Sequence, residues 1–504
     1  MSLTSKVSRS ISYNALGRAV AICTNLIILP YLMTKVSKDL YGISVIVLTF
    51  SGWAGILDMG VGAAIMKYTS EFNASEKYDK LERIFNTSLS FYMAIGIIVG
   101  LLLLVLSFVY DRIFNICPEY ITQGRHLIYI CAILSLFRWP LIPFRNAICG
   151  LHRFDIVNKV EILSNITHLV LVYAVFLFTN SFVLYVLISQ SLLVLYQLSY
   201  IFILRSKSNN IKITLFYFDK DTFLFIAKFS SYIFIGMLCG IFIFQTDNII
   251  IGICVSATAV TVYYAASRIQ EVVCSINGLL GMPFIAAFSE LQGREEYEKQ
   301  NKYLFKYTKL ETAVFIPIVL ITFVYSKQFI MNWLGEDFLL AVPTLRILLL
   351  WWFFNGTLLI LQTLITGKGQ TDVFLYPNVI NAVANLVLSI ILVRYLGIIG
   401  VAIGTTVPMI ITTCFLIRSI LKRLRLSTLD YWKKSIAPNL LYYFIVFCLA
   451  ILAVYFVNVT NIFLTILAMG IVYAIGSLVY FQFFLDTEDK LLVRQILDFR
   501  NQAE

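Results

Sequence analysis

The chain has 504 residues, of which 60% are hydrophobic and only 13% charged, against about 25% charged in an ordinary soluble domain. No soluble core could bury so much apolar surface, so lipid must solvate most of it, and long apolar runs favour helices over a β-barrel. The net charge of +11 fits basic cytoplasmic loops, so we expect no nucleic-acid partner. The composition therefore predicts an all-α polytopic membrane protein.

Segments of about 20 mostly apolar residues, each ended by a polar loop, predict about fourteen transmembrane helices. In chain order they are residues 11–33, 40–65, 84–109, 124–149, 160–180, 182–204, 226–248, 254–287, 304–326, 340–366, 372–393, 398–420, 438–457 and 460–484. The seventh and eighth are the least clearly separated, because only Asp247 and Asn248 interrupt them. The eighth is long enough to extend into the cytoplasm. The first has no small-residue cleavage site after it, so we expect a retained span rather than a signal peptide.

The basic residues predict the orientation of the chain in the membrane. If the N-terminus is cytoplasmic, most of the 39 Lys and Arg residues fall in cytoplasmic segments, with clusters at 205–228, 294–309 and 418–434. This bias places both the N-terminus and the C-terminus in the cytoplasm.

An internal repeat organises the sequence. The stretch Leu57–Arg83 recurs at a constant offset as Ile276–Lys302. Identities fall mostly on residue types that are not common by chance in an apolar chain: Gly62 with Gly281, Ser70 with Ser289, Glu71 with Glu290, Tyr78 with Tyr297 and Lys80 with Lys299. Since each copy holds an even number of spans, the two copies share one orientation. The repeat therefore predicts two six-helix lobes related by a pseudo-two-fold axis along the membrane normal, facing each other across a central cavity.

The repeat also gives the predicted domain boundaries. Residues 1–204 form the N-terminal lobe with spans 1–6, and residues 205–225 form a cytoplasmic linker. Residues 226–425 form the C-terminal lobe with spans 7–12. Residues 426–504 hold two appended spans, which have no counterpart in the repeat, and a cytoplasmic tail.

Charged residues inside the predicted spans are the candidate site residues, because each costs several kcal/mol in hydrocarbon unless it is paired or faces water. They are Arg18, Asp58, Arg138, Asp247, Arg268, Glu271 and Glu311. The arginines come from both lobes. If they face inward, they line one cavity with positive potential, which suits a phosphate-bearing substrate.

Each of these residues also has a structural interpretation. Arg18 could snorkel to the cytoplasmic surface, and Arg268 and Glu271, three residues apart, could neutralise each other on one helical face. Asp58, among glycines, could be a packing or capping group. Glu311 could pair with a neighbouring helix or with Lys309. These alternatives remain open at the level of sequence.

A similar choice applies to His168, which lies midway along the fifth predicted span. It is expected to be a satisfied contact between helices rather than a ligand.

The sequence offers no enzyme or metal constellation. The nine Cys form no CxxC pair and the three His form no cluster, so disulfides, metals and other cofactors are not expected. No P-loop is present, which excludes ATP-driven transport within this chain. External loops are short, whereas a polymerase or ligase would be expected to carry its active site on a large one. We therefore expect a protein that is not an enzyme.

Several segments resemble a known family. They are Ser10–Gly17, Pro30, Leu40–Gly42, Leu57–Tyr68 and Tyr263–Arg268. Together they are similar to Wzx-type polysaccharide flippases of the multidrug/oligosaccharidyl-lipid/polysaccharide exporter (MOP) superfamily. The resemblance covers the whole chain, although its motifs are loose beside a catalytic signature.

The resemblance implies export, without ATP, of an undecaprenyl-pyrophosphate-linked oligosaccharide across the bacterial inner membrane for O-antigen, capsule or exopolysaccharide synthesis. Arg268 and Glu271 resemble a cavity pair of the related lipid II flippases, and Arg18 resembles a first-span arginine there. Those flippases carry more basic residues in their early spans than this chain does. Arg18, Arg138 and Arg268 would hold the pyrophosphate while the lobes rock and the isoprenoid tail stays in lipid.

Coupling to H⁺ or Na⁺ is a further implication, since buried carboxylates can titrate or bind cations. The candidates are Asp58, Asp247, Glu271 and Glu311. A polysaccharide polymerase, a chain-length regulator and membrane lipids are further candidate partners. Two other functions remain open: a cation-coupled multidrug exporter, which should have an acidic cavity, and a membrane scaffold for glycosyltransferases, which would leave the intramembrane charges unexplained.

Overall fold

A computed structural model of the chain describes residues 3–207, 212–293, 296–457, 459–486 and 490. All regular secondary structure in these ranges is helical. By its internal contacts the chain divides into two compact units. The first comprises residues 1–264 and 389–401, and the second comprises residues 265–388 and 402–504.

Among the described residues the first unit contains, besides the stretch 389–401, nine whole α-helices and the start of a tenth. They are α1 (Leu3–Lys35), α2 (Lys38–Trp53), α3 (Val61–Ala74), α4 (Tyr78–Ile113), α5 (Ile121–Gly150), α6 (Phe154–Phe178), α7 (Phe182–Lys207), α8 (Lys220–Phe244), α9 (Thr246–Cys254) and α10 (Ala257–Gly293). Within this unit α4 packs along α5, α5 along α7, and α1 along α6.

The second unit holds the rest of α10 and most of the remaining helices. These are α11 (Tyr297–Leu334), α12 (Ala341–Gly367), α13 (Leu375–Leu396), α14 (Ile398–Arg423), α15 (Thr428–Tyr431), α16 (Leu440–Phe456) and α17 (Ile462–Phe483). A π-helical turn, Trp432–Ile436, follows α15. Helix α11 packs against α12, α16 and α17.

The helix inventory confirms the predicted class. Thirteen helices within the described residues are long and apolar enough to cross a membrane. The remaining predicted span, 254–287, corresponds to α10, whose 37 residues agree with the expectation of a long helix. The protein is therefore an all-α polytopic membrane protein, as its composition predicts.

The prediction of a continuous second span, 40–65, is wrong. Helix α2 ends at Trp53, a 3₁₀ turn covers Ala54–Asp58, and α3 begins only at Val61. Between them Met59 and Gly60 have φ of 50° and 77°, a left-handed conformation that ends a helix and that glycine adopts without a steric penalty. The seventh span is broken as well, since α8 ends at Phe244 and α9 begins at Thr246.

Helix boundaries reproduce the internal repeat. The same offset relates three pairs of helix ends: Lys35 of α1 with Cys254 of α9, Lys38 of α2 with Ala257 of α10, and Tyr78 of α4 with Tyr297 of α11. Boundaries are set by loop chemistry rather than by general apolarity, so their agreement supports a duplicated helical unit.

Equivalent residues of the two copies bind each other at the start of α2 and α10, inside the first unit. The Thr258 hydroxyl donates to Asp39 Oδ1 at 2.7 Å, and these residues are 219 positions apart, which is the repeat offset. Next to this bond, the Thr261 hydroxyl donates to the Lys38 carbonyl at 2.6 Å. Within the first unit, equivalent positions of the two copies are therefore in direct contact.

The predicted linker is fixed to α4. The Asn86 amide donates to the Lys212 carbonyl at 2.8 Å and accepts from the Thr214 backbone N–H at 3.0 Å. Ser90 donates to the Tyr217 carbonyl at 2.7 Å. Polar residues at the beginning of α4 therefore hold residues 212–217 in place. The domain boundaries on either side of the linker stay a prediction.

Gly42→Ala should destabilise the protein strongly. A Cβ at Gly42 would lie 1.8 Å from the Ala257 carbonyl oxygen, and backbone cannot yield as a flexible side chain can, so we expect a loss of about 3 kcal/mol, the upper end of the usual cost of overpacking. Thermal unfolding of detergent-purified protein measures this loss. Gly470→Ala in α17 is the matched control, because nothing lies within 4 Å of its Cβ position. Equal stability of the two variants would contradict the close α2–α10 contact.

Candidate functional site

Arg268 and Glu271 form an ion pair on α10. Arg268 Nη1 lies 2.7 Å from Glu271 Oε2, and the side chains are 26% and 55% exposed. The pairing expected from their i, i+3 spacing is therefore present. Because the pair is neutral as a unit, positive potential from intramembrane arginines must come mainly from other residues.

Two such arginines, Arg18 of α1 and Arg138 of α5, are exposed in the first unit. Arg138 follows Phe137 and precedes the buried Trp139 near the middle of α5, too far from either end for easy snorkelling. An arginine at this depth needs water or an anionic partner, because hydrocarbon alone costs it several kcal/mol. Arg138 is therefore the strongest candidate for a residue that contacts an anionic group.

A second intramembrane ion pair joins Arg145 of α5 to Glu161 of α6. It was not predicted from the sequence. Arg145 Nε and Nη2 lie 3.1 Å and 2.7 Å from Glu161 Oε1. Arg145 is seven residues after Arg138, so both project from the same face of α5. Arg145 lies in the predicted span 124–149 and Glu161 in the predicted span 160–180. A charge inside a predicted span is the signal by which both could have been identified as candidate residues.

Asp58 lies at the break between α2 and α3, where it caps α3. Its carboxylate accepts a hydrogen bond from the Tyr92 hydroxyl and lies within electrostatic reach of the backbone N–H groups of Gly60 and Gly62 at the start of α3. The Gly60 carbonyl in turn accepts from Ser230 of α8 at 3.1 Å. First-turn N–H groups need such an acceptor, so the structure supports the capping interpretation of Asp58.

Asp247 lies in the first turn of α9, just after the break in span 7. It is only 4% exposed and accepts a hydrogen bond from the Tyr263 hydroxyl of α10. The neighbouring Asn248 amide donates to Thr49 of α2 at 3.4 Å. The break therefore brings polar side chains of three helices together inside the first unit.

Glu311 lies on α11 in the second unit and is 5% exposed. Neither of its carboxylate oxygens has a hydrogen-bond partner among the described residues. The neighbouring Lys309 instead binds Asp486 at 3.4 Å. Of the alternatives left open for Glu311, pairing with Lys309 or with another helix is not observed among the described residues.

His168 makes the contact between helices that its position predicts. Its Nε2 lies 3.0 Å from the Tyr185 hydroxyl of α7, and the two rings stack. The interpretation of His168 as a structural contact is confirmed.

The site residues fall into two groups by unit. Arg18, Asp58, Arg138 and Asp247 belong to the first unit, and Arg268, Glu271 and Glu311 belong to the second. A single cavity shared by Arg18, Arg138 and Arg268 stays a prediction. Among the described residues no group of three or more His, Cys, Asp or Glu is placed to hold a metal.

Comparison with known sequences identifies related proteins. The sequence model of a family described as "Polysaccharide biosynthesis protein" matches residues 7–292, and the MatE model matches residues 233–391. A Shigella flexneri protein named "Putative O-antigen transporter" is 22% identical over 414 residues, which are 80% of this chain and 95% of that protein.

Solved structures share the fold. The lipid II flippase MurJ in an inward closed conformation has a TM-score of 0.71 and 18% identity over 94% of this chain and 99% of its own. An inward-facing multidrug resistance MATE family transporter of the MOP superfamily gives 0.64 and 15%, over 86% and 100%. A MOP superfamily transporter from Pyrococcus furiosus gives 0.59 and 14%, over 83% and 95%. These likenesses show that the chain has the same fold as these transporters.

Substitutions at Asp58 separate a cap from a required charge. Asp58→Asn keeps an acceptor for the α3 N–H groups and should leave stability nearly unchanged, whereas Asp58→Ala should cost about 1 kcal/mol. Thermal unfolding of the purified variants measures both. Asp79→Ala, an exposed carboxylate in the first turn of α4, is the control and should change stability less than Asp58→Ala. A loss in Asp58→Asn as large as in Asp58→Ala would contradict the capping role.

Proposed function

We propose that this chain, which belongs to the polysaccharide biosynthesis protein family, is a flippase for an undecaprenyl-pyrophosphate-linked oligosaccharide. It would move the repeat unit from the inner to the outer leaflet of the bacterial cytoplasmic membrane, for O-antigen, capsule or exopolysaccharide synthesis. The family and the membrane-crossing helices give the class of transporter. The observation that favours a phosphate-bearing substrate within that class is the exposed Arg138 in the middle of α5.

The substrate has three parts with different requirements. The pyrophosphate needs fixed positive charge, and a guanidinium supplies it because arginine keeps its proton even where water is scarce. Arg18 and Arg138 are exposed and available for this role. Arg268 is less available, because Glu271 already neutralises its charge. The sugars need a hydrated path, and the isoprenoid tail stays in lipid. Exposed arginines on membrane-spanning helices match the pyrophosphate.

The proposed transport cycle is alternating access between two lobes, residues 1–204 and 226–425, with both termini in the cytoplasm. Repeated units related by an axis along the membrane normal are the architecture in which such rocking occurs. The contact between Asp39 and Thr258 supports this proposal, because it joins equivalent positions of the two copies. A polymerase and a chain-length regulator would act on the exported product.

The second candidate function is a cation-coupled multidrug exporter, which the MatE match over residues 233–391 favours. A cationic drug needs accessible carboxylates. Asp58 is engaged in capping α3, Asp247 is buried against Tyr263, and Glu271 is paired with Arg268. The available charge on the described spans is therefore basic, and this favours the anionic lipid-linked substrate.

Charge-removing variants test the proposed function in a strain lacking this protein. Arg18→Ala and Arg138→Ala should each reduce surface polysaccharide and raise lipid-linked intermediates on the cytoplasmic side, because the pyrophosphate loses a charge-assisted contact. Arg138→Lys should retain part of the export, since a lysine keeps the charge without the planar fork. Immunoblots of surface glycan and extraction of the lipid-linked pool measure both quantities.

The control for these variants is Arg394→Ala, an exposed arginine in the last turn of α13, which should export normally. Normal export by both Arg18→Ala and Arg138→Ala would contradict the cationic-site mechanism. Unchanged glycan in the deletion strain, accompanied by new drug sensitivity, would overturn the flippase in favour of the multidrug exporter.

A further inference from the structure

We propose that Glu311 is a proton-binding site, sealed between α11 and the segment Thr428–Tyr443 that leads into the two C-terminal spans. This inference deepens the proposed transport function by giving one coupling candidate a defined ligand and surroundings. It also assigns a role to spans that have no counterpart in the internal repeat.

The first observation is the isolation of the Glu311 carboxyl. The side chain is 5% exposed, and neither Oε1 nor Oε2 has a hydrogen-bond partner in the described part of the chain. A buried carboxylate without a counter-ion or donors costs far more than the few kcal/mol that hold a membrane protein folded. A proton on one oxygen removes that charge.

The second observation is the polar lining around this carboxyl. Thr308 and Thr312 lie beside Glu311 on α11, and the Asn439 amide donates to the Lys309 carbonyl at 2.7 Å and to the Thr312 hydroxyl at 3.3 Å. The Tyr443 hydroxyl lies within electrostatic reach of the Glu311 carboxyl. A protonated carboxyl therefore has hydroxyl groups nearby that can accept its hydrogen, which a purely apolar pocket would not offer.

The segment that covers the site has irregular backbone. The turn Trp432–Ile436 is π-helical, and such turns often mark functional positions because they shift the helical register. Just before it, Tyr431 is fully buried and lies within electrostatic reach of Glu311, and its hydroxyl donates to the Thr357 carbonyl of α12. Within the turn, the Ser435 hydroxyl is buried and has no partner among the described residues. The covering segment is therefore polar on the side that packs on α11.

No described cation competes for the Glu311 carboxyl. On α11 itself Lys309 binds Asp486. On the covering segment Lys433 and Lys434 are exposed, and the Lys434 ammonium lies 5.5 Å from the centre of the Phe305 ring.

The other helices packed against α11 contribute only neutral groups near the site. The Tyr480 hydroxyl of α17 donates to Asn439 Oδ1 at 3.2 Å. The Arg346 side chain of α12 binds the Ser326 hydroxyl at 2.8 Å, further along α11. A proton is thus the simplest ion that can neutralise Glu311.

A metal cation fits this lining less well than a proton. A hard cation needs about six oxygen ligands, and no group of three or more His, Cys, Asp or Glu among the described residues is placed to hold a metal. A proton needs one carboxylate oxygen. Because the site is closed here, proton exchange requires the packing between α11 and the covering segment to loosen.

The test is infrared difference spectroscopy of the full-length protein in lipid nanodiscs between acidic and alkaline buffer. The wild type should show the carbonyl stretch of a protonated carboxylic acid in an apolar environment, and Glu311→Gln should lose that band while eluting as a folded protein. Glu298→Gln, an exposed carboxylate in the first turn of the same helix, is the control and should retain the band.

Two outcomes would overturn the proposal. One is a band of equal size in wild type and Glu311→Gln. The other is a band that sodium chloride abolishes at constant pH, which would show a metal-cation site. The spectrum does not depend on the transported substrate. Normal surface glycan in the deletion strain would therefore refute the proposed function without affecting the proton site. A band unchanged in Glu311→Gln, together with loss of surface glycan in the deletion strain, would refute the proton site without affecting the proposed function.

Discussion

The bond between Asp39 and Thr258 is the contact on which the rest of the arrangement depends. These residues are equivalent positions of the two copies, so their hydrogen bond joins the start of α2 to the start of α10 inside the first unit. Gly42 brings the helices so close there that even a methyl group would strike the Ala257 carbonyl. A close backbone contact at a small residue is how helices associate where lipid gives no hydrophobic drive. The start of α2 and the start of α10 are therefore in direct contact.

Away from that contact the copies diverge in where their helices break. In the first copy the second helix breaks around Asp58, whereas in the second copy the first helix breaks at Gln245. A break frees backbone groups that lipid cannot satisfy, so polar side chains must gather at it. Asp58 with Tyr92 lies at one break, and Asp247 with Tyr263 lies beside the other. Each of these two acids therefore has a tyrosine partner at a helix break.

The sequence predicted the spans well because an apolar run of about 20 residues has few other uses. It predicted the repeat because Gly and Tyr matches at a constant offset survive substitution of the apolar residues around them. It did not predict the break in span 2, although Gly60 permits it, because an Asp-Met-Gly sequence is also compatible with a continuous helix. The pairing of Arg145 with Glu161 and the isolation of Glu311 depend on which helix faces which. Hydropathy carries no information about that.

Burial separates the intramembrane charges by whether they can become neutral. An arginine keeps its charge under all relevant conditions, and Arg18 and Arg138 are exposed, while Arg145 and Arg268 each hold a carboxylate. A glutamate can take up a proton, and Glu311 is the one placed where neither water nor a described cation reaches it. An anion-binding surface and a proton site make opposite demands on their surroundings. The two appended spans satisfy the second demand by packing on α11, far along the chain from the helices that carry Arg18 and Arg138. The different surroundings of the arginines and of Glu311 are those expected from the cost of solvating each charge.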